Sequence, residues 1–175
     1  NKDLRPILSS ILYKVVDHNQ LEKILKGCIE NNGRISDSAS DKLYELRKKV
    51  KSLKEERLKN LETFMKRNTT FLQDLIIGDR FGRPVLPIKV NYINKVKGII
   101  HDSSSSGNTI FIEPEAVISK GNQIASIKAK ISREEYKLLR EWSKIIGDNK
   151  DSLLLNSDIL LRIEKAITRS RYSAW

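Results

Sequence analysis

Cysteine, proline and aromatic side chains are scarce in this sequence: 175 residues hold one cysteine, four prolines and 6% aromatics. A single thiol, Cys28, rules out an internal disulfide framework and any zinc site built on paired cysteines. Its apolar helical neighbours read it as a small buried hydrophobe, and a reducing interior is the simplest home for the chain. No apolar run approaches the ~20 residues that a bilayer-spanning helix needs. The first residue is Asn1 rather than Met, and no charged start leads into an apolar core and a cleavage site. The chain is therefore expected to be an excised piece of a longer protein. Neither G-x-x-x-x-G-K-[ST] nor G-x-G-x-x-G occurs, which excludes the two familiar cradles for nucleotide phosphates.

Positive charge is what the sequence has in excess. Lysine and arginine number 33 against 22 acids, a formal net charge of +11 with a pI near 9.7. Clustered cations raise affinity for phosphate backbones through counterion release. The same residues also solvate the outer faces of long helices, so charge supplies affinity and says nothing of specificity.

Helical periodicity dominates both ends of the chain. A short apolar piece from Ile7 to Val16 precedes Leu21, Ile24, Leu25, Cys28 and Ile29, which share one helical face. His18, in the polar link between them, lacks a second ligand and reads as a surface residue. Asn31-Asn32-Gly33 signals a turn, after which Ser38, Ser40 and Asp41 offer caps for a long helix. From Asp41 to Arg67 neither glycine nor proline interrupts, which predicts a rod of about 40 Å. Leu43, Leu46, Val50 and Leu53 keep a heptad stripe, and Leu58, Leu61 and Met65 continue it with a shift. Between Lys42 and Arg67, ten basic residues stand against four acids. A second rod starts near Glu113-Pro114, with proline in the first turn. There Val117, Ile124, Ile131, Leu138 and Ile145 recur every seven residues until Gly147, and Gly121 reads as a weak spot. The narrow seams predict an antiparallel pair; the alternative is that each meets another chain. A last helix carries a broad apolar face from Leu153 to Ile167, expected to be buried on more than one side against the first segment. Both chain ends would then lie at one pole.

Between the rods the period changes. Leu75-Ile76-Ile77, Val85 to Ile88, Val96 to Ile100 and Thr109 to Ile112 read as three or four short strands. Asp79-Arg80-Phe81-Gly82 fits a tight reversal and Ser103 to Asn108 a longer loop with Gly107 at a special conformation. Pro84 and Pro87 are expected to hold their strand at an edge or make it irregular. Arg80, Arg83, Lys89, Lys95 and Lys97 make this cap basic. They are the candidate nucleic-acid-binding residues. Phe81 and Tyr92 alone are too few aromatics for a platform that reads single-stranded bases. His101-Asp102 beside four serines invites a triad reading. Adjacent residues in one strand-to-turn segment cannot aim at one another as nucleophile, base and orienter, so turn hydrogen bonds are the better account. Asn68-Thr69-Thr70 matches a glycosylation pattern only formally.

Three runs carry a family resemblance: Gly33 to Ser40 (GRISDSAS), Gly82 to Lys89 (GRPVLPIK), and Gly98 to Pro114 (GIIHDSSSSGNTIFIEP). With the closing Arg171-Tyr172, they resemble the second bacterial and plastid MutS family, MutS-II, along essentially the whole chain. Pro84 departs from the aromatic residue of the family pattern. The resemblance implies a mainly α fold with a small β insert (α+β): a helical core (1–40), an outgoing lever (41–74), a β-rich clamp (75–113), a returning lever (114–147) and a second core segment (148–175). It further implies an ATPase domain and a small MutS-related endonuclease domain beyond Trp175, so that ATP and magnesium belong there, no cofactor or metal here, and no catalytic residue carries over. Partners implied are double-stranded or branched DNA, with suppression of homologous recombination, or alternatively the ribosome and its rRNA in rescue of stalled particles. A homodimer in the full-length protein, no membrane, and the bacterial cytoplasm or plastid stroma complete the expectation.

Overall fold

The structure is a computed structural model that describes residues 6–173, with side chains from residue 9. Asn1 and Trp175, on which the reading of the chain's flanks rests, lie outside the described residues, as does the side chain of Ile7. Among the described residues five α-helices, α1 (Pro6–Leu12), α2 (Asn19–Cys28), α3 (Asp41–Arg67), α4 (Glu115–Asp148) and α5 (Lys150–Ser173), accompany four strands. The strands are β1 (Gly78–Arg80), β2 (Arg83–Lys89), β3 (Gly98–Ser103) and β4 (Thr109–Pro114). The fold is thus mainly helical with a small antiparallel sheet. The chain divides into two compact units, one of residues 40–134 and the other of residues 1–39 with 135–175.

In the unit of residues 40–134, α3 starts where Ser40 caps it, its Oγ accepting from Leu43 N at 3.3 Å. Val50 and Leu53 of α3 pack on Ile124 and Ile127 of α4, with Leu46 and Ile131 beside them. Lys42 pairs with Glu134 at 2.7 Å, and Glu56 pairs with Lys120. Residues early in α3 therefore meet residues late in α4, which makes the two helices an antiparallel pair whose seams meet each other.

At the far end of that pair the sheet is docked by a second cluster: Leu61 of α3, Leu86, Ile88 and Ile112 of the sheet, Val117 of α4, and Leu72 and Val96 from the connections. The strand order is β1-β2-β4-β3. In this unit expectation and outcome differ at four places. Leu75 and Ile76 are 65% and 59% exposed and precede β1 rather than forming it, because Gly78 to Arg80 is the stretch in register with β2. Pro114 ends β4, and α4 begins at Glu115, whose N–H donates to Lys97 O at 3.0 Å. β2, which holds both prolines, lies inside the strand order and not at an edge. Arg83–Val85 pair with β1 and Leu86–Lys89 with β4. Pro84 thus pairs with β1, while the Pro87 stretch meets β4 and also the segment before β1, through a Leu72–Ile88 bridge and Gln73 N donating to Pro87 O at 2.8 Å; this exchange of partners is the irregularity expected of a strand with two prolines. Leu58 is 47% exposed while Leu61 is buried, so only part of the shifted stripe faces the core.

Two turns of the sheet require unusual backbone. Phe81 and Gly82 have φ of 55° and 75°, the primed two-residue turn that suits the twist of a hairpin. Gly107, at φ 71°, closes the β3–β4 loop.

In the other unit, Leu21, Ile35, Leu138, Trp142 and Ile159 are buried. Asn156 of α5 ties the segment after α1 by a reciprocal pair, accepting from Val16 N at 2.9 Å and donating to Val16 O at 2.7 Å. The broad face of α5 is less covered than its pattern predicts. Ile159 is buried, yet Leu154, Leu155, Leu160 and Leu161 are exposed. Periodicity defines an apolar face but not the area that neighbours cover. His18 is half-buried rather than a surface residue, and its Nε2 is enclosed with no hydrogen-bond partner among the described residues. Cys28 is only half-buried.

Candidate nucleic-acid interface

The five cations read from the sequence fall into two kinds. Arg80 donates from Nε to Asp102 Oδ2 at 2.9 Å, and its guanidinium lies 4.0 Å over the Phe111 ring. Arg83 donates from Nη1 to Glu113 Oε1 at 3.2 Å and from Nη2 to Asn122 Oδ1 at 2.7 Å. Lys89 donates to the Thr70 carbonyl at 3.3 Å. These three are half-buried, and both arginines are engaged by carboxylates. Lys95 and Lys97 are exposed and have no ion-pair partner among the described residues. They flank Val96, buried in the sheet's core cluster, which fixes the backbone that carries them into β3.

Sequence reasoning missed the group around which the arginine network is built. Glu113, at the end of β4, is fully buried and also meets His101 Nε2 at 3.0 Å. A buried carboxylate needs paired partners to offset desolvation, and Arg83 with His101 provides them. The sequence signal was a lone acid inside the apolar run Thr109 to Pro114. Gly121 was legible only as a helix defect. A Cβ there would lie 2.3 Å from Arg83 Nη1 and 3.0 Å from Glu113 Oε1, so the helix gives way to the ion pair.

Asp102 takes a different partner from its neighbour. Its carboxyl is held below the ordinary aspartate range, first by the hydrogen bond from Ser103 N and then by Arg80. His101 and Asp102 thus address Glu113 and Arg80, not each other. Tyr92 stacks on Phe71 with ring centroids 5.1 Å apart, whereas Phe81 is 91% exposed. Asn68 is engaged by its own helix, its Nδ2 donating to Phe64 O at 2.8 Å. Among the described residues no cluster of three or more His, Cys, Asp and Glu is placed to hold a metal ion. None of their helices is long and apolar enough to cross a membrane.

No family model matches the chain. Individual relatives do: it is 36% identical over 169 residues to a protein of Halalkalibacterium halodurans named Endonuclease MutS2, covering 95% of this chain. Proteins of the same name from Synechocystis sp. and Aquifex aeolicus are 35% and 32% identical, over 99% and 98% of this chain. The chain is of the MutS2 type. It spans 22%, 21% and 24% of the length of these three relatives, so the MutS2-type sequence described here corresponds to about a fifth to a quarter of each. The paired helices and the sheet between them lie wholly within the matched stretch.

Proposed function

We propose that residues 40–134 form a clamp on a lever that grips double-stranded or branched DNA through its phosphates, without catalysis of its own, as part of a longer MutS2-type protein. The observation that carries this reading is the pair Lys95 and Lys97, exposed and without ion-pair partners among the described residues at the entry to β3. Arg80, Arg83 and Lys89 serve it differently. Their donors are engaged within the fold, so they shape the clamp while the two lysines contact phosphate. ATP, magnesium and nuclease chemistry belong, in this reading, to parts of the longer protein outside this chain.

Contacts of this kind are sequence-independent and weaken with salt, since each neutralised phosphate releases counterions. Two lysine contacts correspond to a loss of about tenfold in affinity for a fourfold rise in salt. Anisotropy titrations of the 175-residue chain with a linear duplex and a four-way junction test it. The double variant K95E/K97E is expected to lose at least about tenfold at low salt and to flatten the salt dependence. Unchanged binding by that variant would reject the assignment. Competition by purified ribosomes decides between DNA and rRNA, because phosphates look alike to lysine; displacement of the junction by substoichiometric ribosomes would favour the ribosome.

A further inference from the structure

The β1–β2 hairpin presents one aromatic ring to solvent at a tip whose flanking residues are tied to the rest of the sheet. Phe81 is 91% exposed at a two-residue tip, with φ of 55°, a conformation that a bulky residue adopts at a cost and that asparagine or glycine takes readily. Its ring is therefore neither core packing nor a natural choice for the turn. The flanking residues hold the tip from both sides. Arg80 and Arg83 stand opposite each other in the hairpin register, the first tied to Asp102 of β3 and the second to Glu113 of β4 and Asn122 of α4. Gly82 N donates to Asp79 Oδ1 at 2.9 Å, closing the turn itself. The two strands are thus braced against three other elements, and the ring projects from a pre-ordered support. Such a support lowers the entropy lost when a partner is engaged.

We infer that Phe81 is a stacking wedge for an unstacked nucleobase, a bulged or junction base in DNA or a flipped base in structured RNA. The inference rests on the nucleic-acid reading above and adds to it a preference for irregular over fully paired strands. A single exposed ring on a hairpin tip whose flanking residues are both arginines suits the face of one base. Aromatic side chains stack on any base without reading its identity, and apolar wedges enter where pairing or stacking is already weak.

The test compares three probes: a fully paired DNA duplex, the same duplex with one unpaired 2-aminopurine, and an RNA hairpin with one bulged base. F81N removes the ring while easing the turn, so its thermal midpoint is expected to equal or exceed that of the parent chain. F81Y retains the ring. Stacking predicts that F81N loses about tenfold in affinity for the bulged DNA, the bulged RNA or both, and less than twofold for the paired duplex, with F81Y close to the parent. Which bulged probe responds identifies the source of the base. Quenching of 2-aminopurine fluorescence by the parent chain and not by F81N would be the direct signature of a ring on the base. Equal affinities of F81N and the parent for all three probes would overturn the wedge while leaving phosphate gripping intact. An equal loss on paired and bulged probes would also overturn it. Failure of the parent chain to bind any probe at low salt would reject both readings together.

Discussion

Gly121 of α4 lies so close to the Arg83 guanidinium that a Cβ there would stand 2.3 Å from Nη1. The helix gives up its side chain at this position to admit an ion pair from the sheet. In an exposed helix interior, Gly→Ala stabilises by about 1 kcal/mol. Here the added methyl meets Arg83 Nη1, so the guanidinium that is held on buried Glu113 and on Asn122 has to shift.

That relationship makes the sign of Gly121→Ala a measurement of the network. We expect the variant to be destabilised by about 1–3 kcal/mol, the usual range for a methyl group forced into packed space. In an R83M background, where no guanidinium occupies the space, the same substitution should become neutral or stabilising. Urea denaturation of the four chains closes the cycle; equal effects of G121A in both backgrounds would show that Arg83 is not the obstacle.

Capping of α3 gives a second expectation. Ser40 Oγ accepts from Leu43 N and donates to Glu134 Oε1 at 3.2 Å. Loss of the cap in S40A should cost about 1 kcal/mol. Aspartate is ordinarily as good a cap as serine, yet S40D would place a carboxylate against Glu134, which already takes Lys42. S40D is therefore expected to be no more stable than S40A at neutral pH, read from their urea midpoints. Recovery of parental stability by S40D would show that the Ser40–Glu134 contact carries no weight.

Acid should loosen the braced hairpin. The folded-state pKa of Asp102 is lowered, so the stabilisation it brings is fully present above the unfolded value of about 3.9 and is lost as pH falls through the folded value. D102N is expected to be less stable than the parent at pH 6, and the two should converge as pH falls through the lowered folded-state value. Thermal midpoints across that range check the sign, and a constant gap down to the lowest pH would contradict it.

Burial separates two leucines that the sequence places on one stripe. Leu61 is 1% exposed in the cluster that docks the sheet, and Leu58 is 47% exposed. L61A is expected to cost about 2–5 kcal/mol through lost contacts and a residual cavity, and L58A about 0.5 kcal/mol or less. Denaturation midpoints distinguish them directly.

Local chemistry alone determined several features of this protein. The uninterrupted stretch Asp41 to Arg67 is one helix because nothing in it breaks one, and its heptad stripe marks the face that meets α4. Gly82 and Gly107 close turns because they take positive φ without strain. These properties depend on residues a few positions apart, where chain order is a fair guide to distance.

Only the tertiary structure decided which cations are engaged. Arg83 reaches Glu113 and Asn122, which lie 30 and 39 residues further on, and Arg80 reaches Asp102, 22 residues away. All five basic residues of the insert look equivalent in sequence, because charge is legible there and its neutralisation is not. The exchange of ladder partners within β2 and the space at Gly121 have the same origin. Each depends on a surface brought close by folding, and no periodicity of 2 or 3.6 residues encodes what lies across that gap.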